Sequence, residues 1–164
     1  MTDDSLSGQA GVSTTEEFPE WKLKHLEMIQ AIVARLGGNA FYIKGWAVTI
    51  TGAFVALAVG QDDWRFAAAS VGPIALLWLL DALFLRNERL FRDLFARVVD
   101  GTEDPFFLGA TSKEYVAKVS AEASSAGTRD PSSRFWIFWS PSLRLFYGAE
   151  VLVATIAALI ICKG

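Results

Sequence analysis

Charged residues in this chain fall in blocks, and between the blocks lie stretches in which nearly every side chain is apolar. The first stretch, residues 41–60, carries a single charge, Lys44, near its start. About 20 apolar residues in helical conformation rise ~30 Å, the thickness of the hydrocarbon in a bilayer. Residues 41–60 are therefore expected to span a membrane, with the Lys44 stem extended so that its ammonium reaches the interface. A second apolar run begins at Phe66 and reaches Leu85, and only QDDWR lies between the two. That linker suffices for a tight turn, so the pair reads as an α-helical hairpin through the bilayer.

Helical periodicity continues on both flanks. In residues 18–38, Leu26, Ile29, Val33 and Leu36 recur at spacings of three and four, Trp21 and Ile32 widen the stripe, and Glu20, Lys24, Glu27 and Arg35 lie largely off it. This is an amphipathic helix with Pro19 near its first turn, expected to stop or bend at Gly37-Gly38-Asn39. Beyond Leu85 the segment RNERLFRDLFARVVD keeps the period, with Phe84, Phe91, Phe95 and Val98 on one face and Glu88/Arg92, Arg89/Asp93 and Asp93/Arg97 four apart. One helix over 66–99 follows, projecting ~20 Å past the membrane at 1.5 Å per residue. Its apolar stripe needs cover, and the 18–38 helix is the expected partner. Gly72 and Pro73 sit inside it as a candidate hinge: proline withholds an N–H and crowds the preceding turn, and permanent curvature is the favoured reading over motion.

The rest of the chain is more polar until its last stretch. Residues 1–17 read as a mobile tail. Residues 100–133 read as a loop with a short surface helix, capped by Thr111 with Glu114 three positions on. Residues 134–140 form an aromatic interfacial segment, RFWIFWS, and Ser140-Pro141 starts a helix over 141–163. From Leu145 to Cys162 only Glu150 is ionisable, so a third span is expected. The fold class is all-α: an integral membrane protein with an amphipathic helix, a transmembrane hairpin with a long cytoplasmic helical extension, and a third transmembrane helix.

Composition narrows the function classes. Residues of the set AVILMFWYC make up 52% of the chain, and the net charge of −3 disfavours a nucleic-acid binder. Cys162 is the only cysteine and His25 the only histidine, which excludes an intrachain disulfide and a thiolate cluster. No HExxH, P-loop, post-strand GxGxxG or serine-elbow string occurs. Neither catalysis nor a metal or other cofactor is expected; His25 reads as a solvated or interfacial side chain and Cys162 as small apolar filling.

The strings HLEMIQAIVARL, KGWAVTITGAF and LLDALFLRNERLFRDLF resemble a set of small bacterial membrane proteins in which a juxtamembrane helix precedes two spans and a charged helix follows them. The plan is also similar to that of two-span SLATT-type domains, regarded as membrane effectors of antiviral conflict systems that form oligomeric pores. The likeness covers roughly residues 25–97 and LRLFYG; residues 111–133 fall outside it, and a third span departs from it. It implies an oligomeric inner-membrane effector or channel-like protein. The alternative is a non-conducting anchor or accessory subunit that positions a cytoplasmic protein. The expected partners are the lipid bilayer and further copies of the chain, with a cytoplasmic protein under the alternative.

Three ionisable groups, Lys44, Asp81 and Glu150, converge on one layer of the proposed spans, with Arg144 and Arg86 just outside. Isolated charges there are costly. One reading pairs Lys44 with Asp81 or Glu150 and locks the three helices, the second acid being protonated or satisfied by Arg144. The other places Asp81 or Glu150 along a path through an oligomer, with Trp78 and Phe84 as its constriction. Arg86, Arg89, Arg92 and Arg97, with Trp136 and Trp139, are candidate lipid-headgroup contacts, intrahelical ion pairs being the competing use of the arginines. Gly45/Thr49/Ala53 and Gly52/Ala56/Gly60 permit close helix approach, with a seam inside one chain slightly favoured over a seam between chains.

Orientation follows from Lys and Arg. Lys22, Lys24, Arg35 and Lys44 precede the first span, Arg86, Arg89, Arg92 and Arg97 follow the second, and the turn offers only Arg65. The positive-inside rule then places the N-terminus and the Arg86–Arg144 region on the cytoplasmic side, and the resemblance implies that the membrane is a bacterial inner membrane. In a Cys162→Ala background, Asp62→Cys should react in intact cells with a thiol reagent that cannot cross the inner membrane. Reaction only after that membrane is opened overturns the orientation.

Overall fold

The computed structural model describes residues 19–163, Arg134 by its backbone alone. The expected tail over 1–17 and Phe18 lie outside the described residues. Those residues form six helices and no strand: α1 (Glu20–Gln61), α2 (Trp64–Ala69), α3 (Val71–Val99), α4 (Lys113–Ala126), α5 (Arg134–Phe138) and α6 (Pro141–Lys163).

The expected stop at Gly37-Gly38-Asn39 does not occur. The amphipathic helix and the first apolar run are one helix of 42 residues. A glycine inside a helix costs about 1 kcal/mol against alanine. Packing on both sides outweighs that cost, because Leu26 and Ile29 below the glycines and Ile43 and Ala47 above them are buried. The helix ends instead at Asp62, in the left-handed conformation at φ 52°, while the Asp63 N–H donates to the Ala58 carbonyl at 3.1 Å. This is the Schellman closure. The Asp63 carboxylate then accepts the Arg65 N–H at 2.9 Å and starts α2.

The helix expected over 66–99 is interrupted at Ser70, two residues before the Gly72-Pro73 candidate hinge. Pro73 occupies the first turn of α3, where a missing N–H is tolerated, and the Ala69 carbonyl loses its usual donor. The Ser70 hydroxyl bridges the break by donating to the Ala67 carbonyl at 2.7 Å.

Two apolar clusters organise the molecule. In the first, here the head, Leu26 and Ile29 of α1 pack on Leu90, Leu94 and Val98 of α3. Tyr115 and Val119 of α4 close this cluster. The surface helix expected to bury little therefore buries Tyr115, Val119 and Ala123, one stripe at spacing four. Its cap is Ser112 rather than Thr111: the Ser112 hydroxyl accepts the Tyr115 N–H at 3.2 Å. Gly127, at φ +65°, ends it, a conformation that glycine adopts without steric cost.

The second cluster joins Ala47 of α1, Ile74 and Ala82 of α3, Ile137 of α5, and Leu143 and Tyr147 of α6. Three helical segments are long and apolar enough to cross a membrane: α1, α2 with α3, and α6. At most 22% of the residues in each apolar window are buried within the chain, so most of this apolar surface faces outward.

Candidate functional site

The second cluster contains a polar centre built by three helices. α1 supplies Lys44, α3 supplies Asp81 and α6 supplies Tyr147. The Lys44 ammonium meets Asp81 Oδ2 at 2.5 Å. The Tyr147 hydroxyl lies 3.3 Å from the same oxygen and 3.2 Å from the Leu77 carbonyl, so its one proton serves two acceptors. Asp81 is 1% exposed and Lys44 26%. Small residues let the helices come this close: Ala47 and Ala82 are both buried in this cluster.

Aromatic rings wall the centre. Trp78, one turn before Asp81, is stacked between Phe138 at 4.5 Å and Tyr147 at 5.8 Å. Lys44 lies 6.0 Å from the centre of the Phe146 ring. Asp81 Oδ1 and Trp78 Nε1 are buried without hydrogen-bond partners.

Of the groups expected in or beside this layer, Lys44 and Asp81 come together, and Glu150 and Arg144 do not join them. Glu150 is half-buried, three residues past Tyr147, and makes no ion pair or side-chain hydrogen bond with a described residue. Arg144 serves neither acid; its guanidinium lies 5.3 Å from the Trp139 ring. Tyr147 was the residue missed. Its signal was a phenol within an apolar helix, where the hydroxyl has to find a partner.

The arginines proposed for headgroups turn largely inward. Arg86 donates to the Ser132 carbonyl at 3.0 Å. Arg89 reaches the Ser140 hydroxyl at 3.3 Å rather than Asp93. Arg97 pairs with Asp93 at 2.8 Å and with Glu122 of α4 at 2.6 Å. Only Arg92 stays exposed, and Glu88 holds it at 2.7 Å. Trp136 and Trp139 remain half exposed, Trp136 under the Arg129 guanidinium at 4.7 Å. These arginines position α4 and the segment before α6.

The small-residue series on α1 also differs from expectation. Gly45, Thr49, Ala53, Gly52, Ala56 and Gly60 are exposed, and the seam inside the chain uses Ala47, Thr51 and Ala58 instead. His25 is buried, with Nε2 unpartnered, rather than solvated or interfacial. Cys162 is exposed rather than filling a core, and lines an apolar groove of about 390 Å³ between α2 and α6. Among the described residues, no group of three His, Cys, Asp or Glu side chains stands together as a metal site requires.

No family model, curated protein or solved structure matches the chain. Its class rests on its own geometry: the described residues form an all-helical protein with three segments long and apolar enough to cross a membrane, two joined by the Lys44–Asp81 ion pair and the third by the Tyr147 hydroxyl.

Two predictions follow from these contacts. Removing one partner of a buried pair strands the other charge and costs about 3–5 kcal/mol. Asp81→Asn and Lys44→Met should each lower the melting temperature in detergent sharply, and the double variant should lose less than the two losses added. Strictly additive losses would show that the pair does not couple α1 to α3.

In the head, Asp130 accepts the Ser132 N–H and hydroxyl, each at 2.7 Å, and the Ser120 hydroxyl at 2.9 Å. Burial pushes its carboxyl up, but these bonds and the nearby Arg86 charge outweigh burial and hold it below the usual range. A carboxyl held low stabilises the fold fully above its unfolded value of about 3.9, and that contribution is lost as pH falls through the folded value. The melting-temperature gap between the wild-type chain and Asp130→Ala should therefore stay constant from pH 7 to pH 5 and narrow only below about pH 4. A gap that closes between pH 7 and pH 5 contradicts the assignment.

Proposed function

We propose that the chain is a three-span protein of a bacterial inner membrane, with its head in the cytoplasm, and that it acts as a non-conducting anchor. On this reading its work is to hold the helical head at a fixed height and angle beneath the bilayer, where a cytoplasmic protein can be positioned. The observation that carries the reading is the burial of Asp81. A carboxylate bonded to Lys44 and Tyr147 in the interior of one chain is not lining a water-filled path, and its ties join all three spans where they meet the head. Continuity supports it too: α1 and α3 run from the spans into the head without a loop, so the head cannot swing freely.

A second reading, the channel-like oligomeric effector of an antiviral system, draws on Glu150. This acid is half-buried in the most apolar helix and has no ion-pair or side-chain hydrogen-bond partner among the described residues. A conducting path would then run between copies, with Glu150 at its wall. Ion flux into proteoliposomes containing the full chain separates the two. The anchor reading expects flux equal to that of empty liposomes in both the wild-type chain and Glu150→Gln. Flux above that background that falls several-fold in Glu150→Gln establishes the second reading and overturns the first.

A further inference from the structure

Around α5 the surface carries a strip of aromatic rings with an arginine at each end. Phe135 is 65% exposed, and Trp136 and Trp139 are each 49% exposed. The Phe135 ring centre lies 5.9 Å from that of Trp136 and 6.4 Å from that of Trp139. The Arg129 guanidinium stands 4.7 Å from the Trp136 ring and the Arg144 guanidinium 5.3 Å from the Trp139 ring. Ile137 is buried in the second cluster, which fixes the side of α5 that turns outward.

Contacts with α3 set the depth of the strip. Phe138 stacks on Trp78, one turn from Asp81, and Arg86 and Arg89 hold the Ser132 carbonyl and the Ser140 hydroxyl. The segment is thereby tied to α3 where its apolar run gives way to charge, and α6 enters its own apolar run just beyond. On the three-span reading proposed above, on which this inference rests, the strip lies at the level of the lipid headgroups. Tryptophan is favoured there because its ring is apolar while its N–H stays with polar groups.

The charges identify the ligand. Arg92 and Arg97 have acids of their own, whereas neither Arg129 nor Arg144 makes an ion pair or side-chain hydrogen bond with a described residue. Asp130, adjoining Arg129, is turned to Ser120 and Ser132 instead. A contact with a ring leaves a guanidinium with most of its five donors unused, and phosphate oxygens match that fork. We infer that the strip is a binding site for anionic phospholipid, Arg129 and Arg144 taking headgroup phosphate oxygens and the rings between them taking the upper acyl chains. A headgroup that also carries an ammonium is disfavoured by the two arginines, so the site selects net negative lipid. An acidic peptide would answer the arginines but would leave the rings uncovered. The headgroup role expected of the arginines on α3 thereby passes to Arg129 and Arg144, and the bound lipid pins α5, and through it the head, to the bilayer surface.

The test uses the full chain in neutral detergent mixed with equal amounts of dioleoylphosphatidylglycerol and dioleoylphosphatidylcholine, with retained lipid counted by native mass. The wild-type chain should retain several-fold more phosphatidylglycerol than phosphatidylcholine. Arg129→Gln and Arg144→Gln should each reduce that preference several-fold and together abolish it, while Arg129→Lys with Arg144→Lys should keep most of it. Arg92→Gln, at an exposed arginine that Glu88 already holds, should leave it unchanged. Inorganic phosphate in excess should not displace the lipid, because it offers the rings nothing. In native membranes, a photoreactive phenylalanine analogue at Phe135 should cross-link to lipid. Equal retention of the two lipids by the wild-type chain overturns the inference, as does a preference that survives in the double glutamine variant or falls equally in Arg92→Gln. Displacement by inorganic phosphate, or a protein cross-linked at Phe135 in place of lipid, overturns it too. Resistance of the membrane-bound chain to alkaline carbonate reports the spans separately, so a missing lipid site is distinguishable from failure of the three-span reading.

Discussion

A carboxylate in the middle of an apolar helix bundle has to be charged and matched, or not charged at all, and the rest of this structure is arranged around that requirement at Asp81. With 1% of its side chain exposed, Asp81 draws its stabilisation from Lys44 on one neighbouring helix and from the Tyr147 hydroxyl on the other. The desolvation of two charges offsets much of their attraction, so such a pair adds little net stability compared with apolar packing. What it adds is register. An axial slip of α1 against α3 separates the charges and leaves each without its partner in a low-dielectric interior, and a slip of α6 removes the Tyr147 hydroxyl from Asp81.

Fixing register at that level matters because of the lengths involved. α1 reaches the head from the polar centre through two glycines, and α3 reaches it in the opposite chain direction with none. The apolar cluster of Leu26, Ile29, Leu90, Leu94 and Val98 clamps their far ends together, and α4 is held there by Tyr115 and by the Arg97 link to Glu122. Burial, the hydrogen bond to Asp93 and that carboxylate's charge push the Tyr115 hydroxyl well above its ordinary range, although Arg97 opposes them. Tyr115 therefore remains a neutral donor at physiological pH. The two helices are thus tied at two separated levels, by charge at one and by apolar contact at the other, which makes the extension a stiff strut.

The apolar surface left over is as informative as the surface that is buried. Within the chain, α6 touches its neighbours mainly through Leu143, Tyr147 and Ala154, while Leu145, Leu152 and Ile160 face outward. On α1, the bulky outward residues Phe41, Trp46 and Val59 flank the exposed small ones. Large outward side chains suit lipid tails, whereas a groove of glycines between them suits another helix. One helix therefore carries two kinds of outer surface.

Hydrophobic periodicity alone determined the three apolar helices, the hairpin turn between Gln61 and Trp64, and the meeting of Lys44 with an acid near one end of the spans. Those features follow from local chemistry: the length an apolar run must have, the few residues a turn needs, and the cost of an isolated charge in an apolar layer. Tertiary packing decided the rest. Gly37 and Gly38 stayed helical because both halves of α1 are anchored on α3, which no propensity reports. α4 became part of the core because Arg97 and the end of α3 were there to receive it. Arg86 and Arg89 turned inward because segment 132–140 folds back beside α3 and offers a carbonyl and a hydroxyl that are distant in sequence. The choice of Asp81 over Glu150 was decided the same way: both acids lie at a suitable depth, but the interhelical geometry brings only Asp81 within hydrogen-bonding distance of both Lys44 and Tyr147.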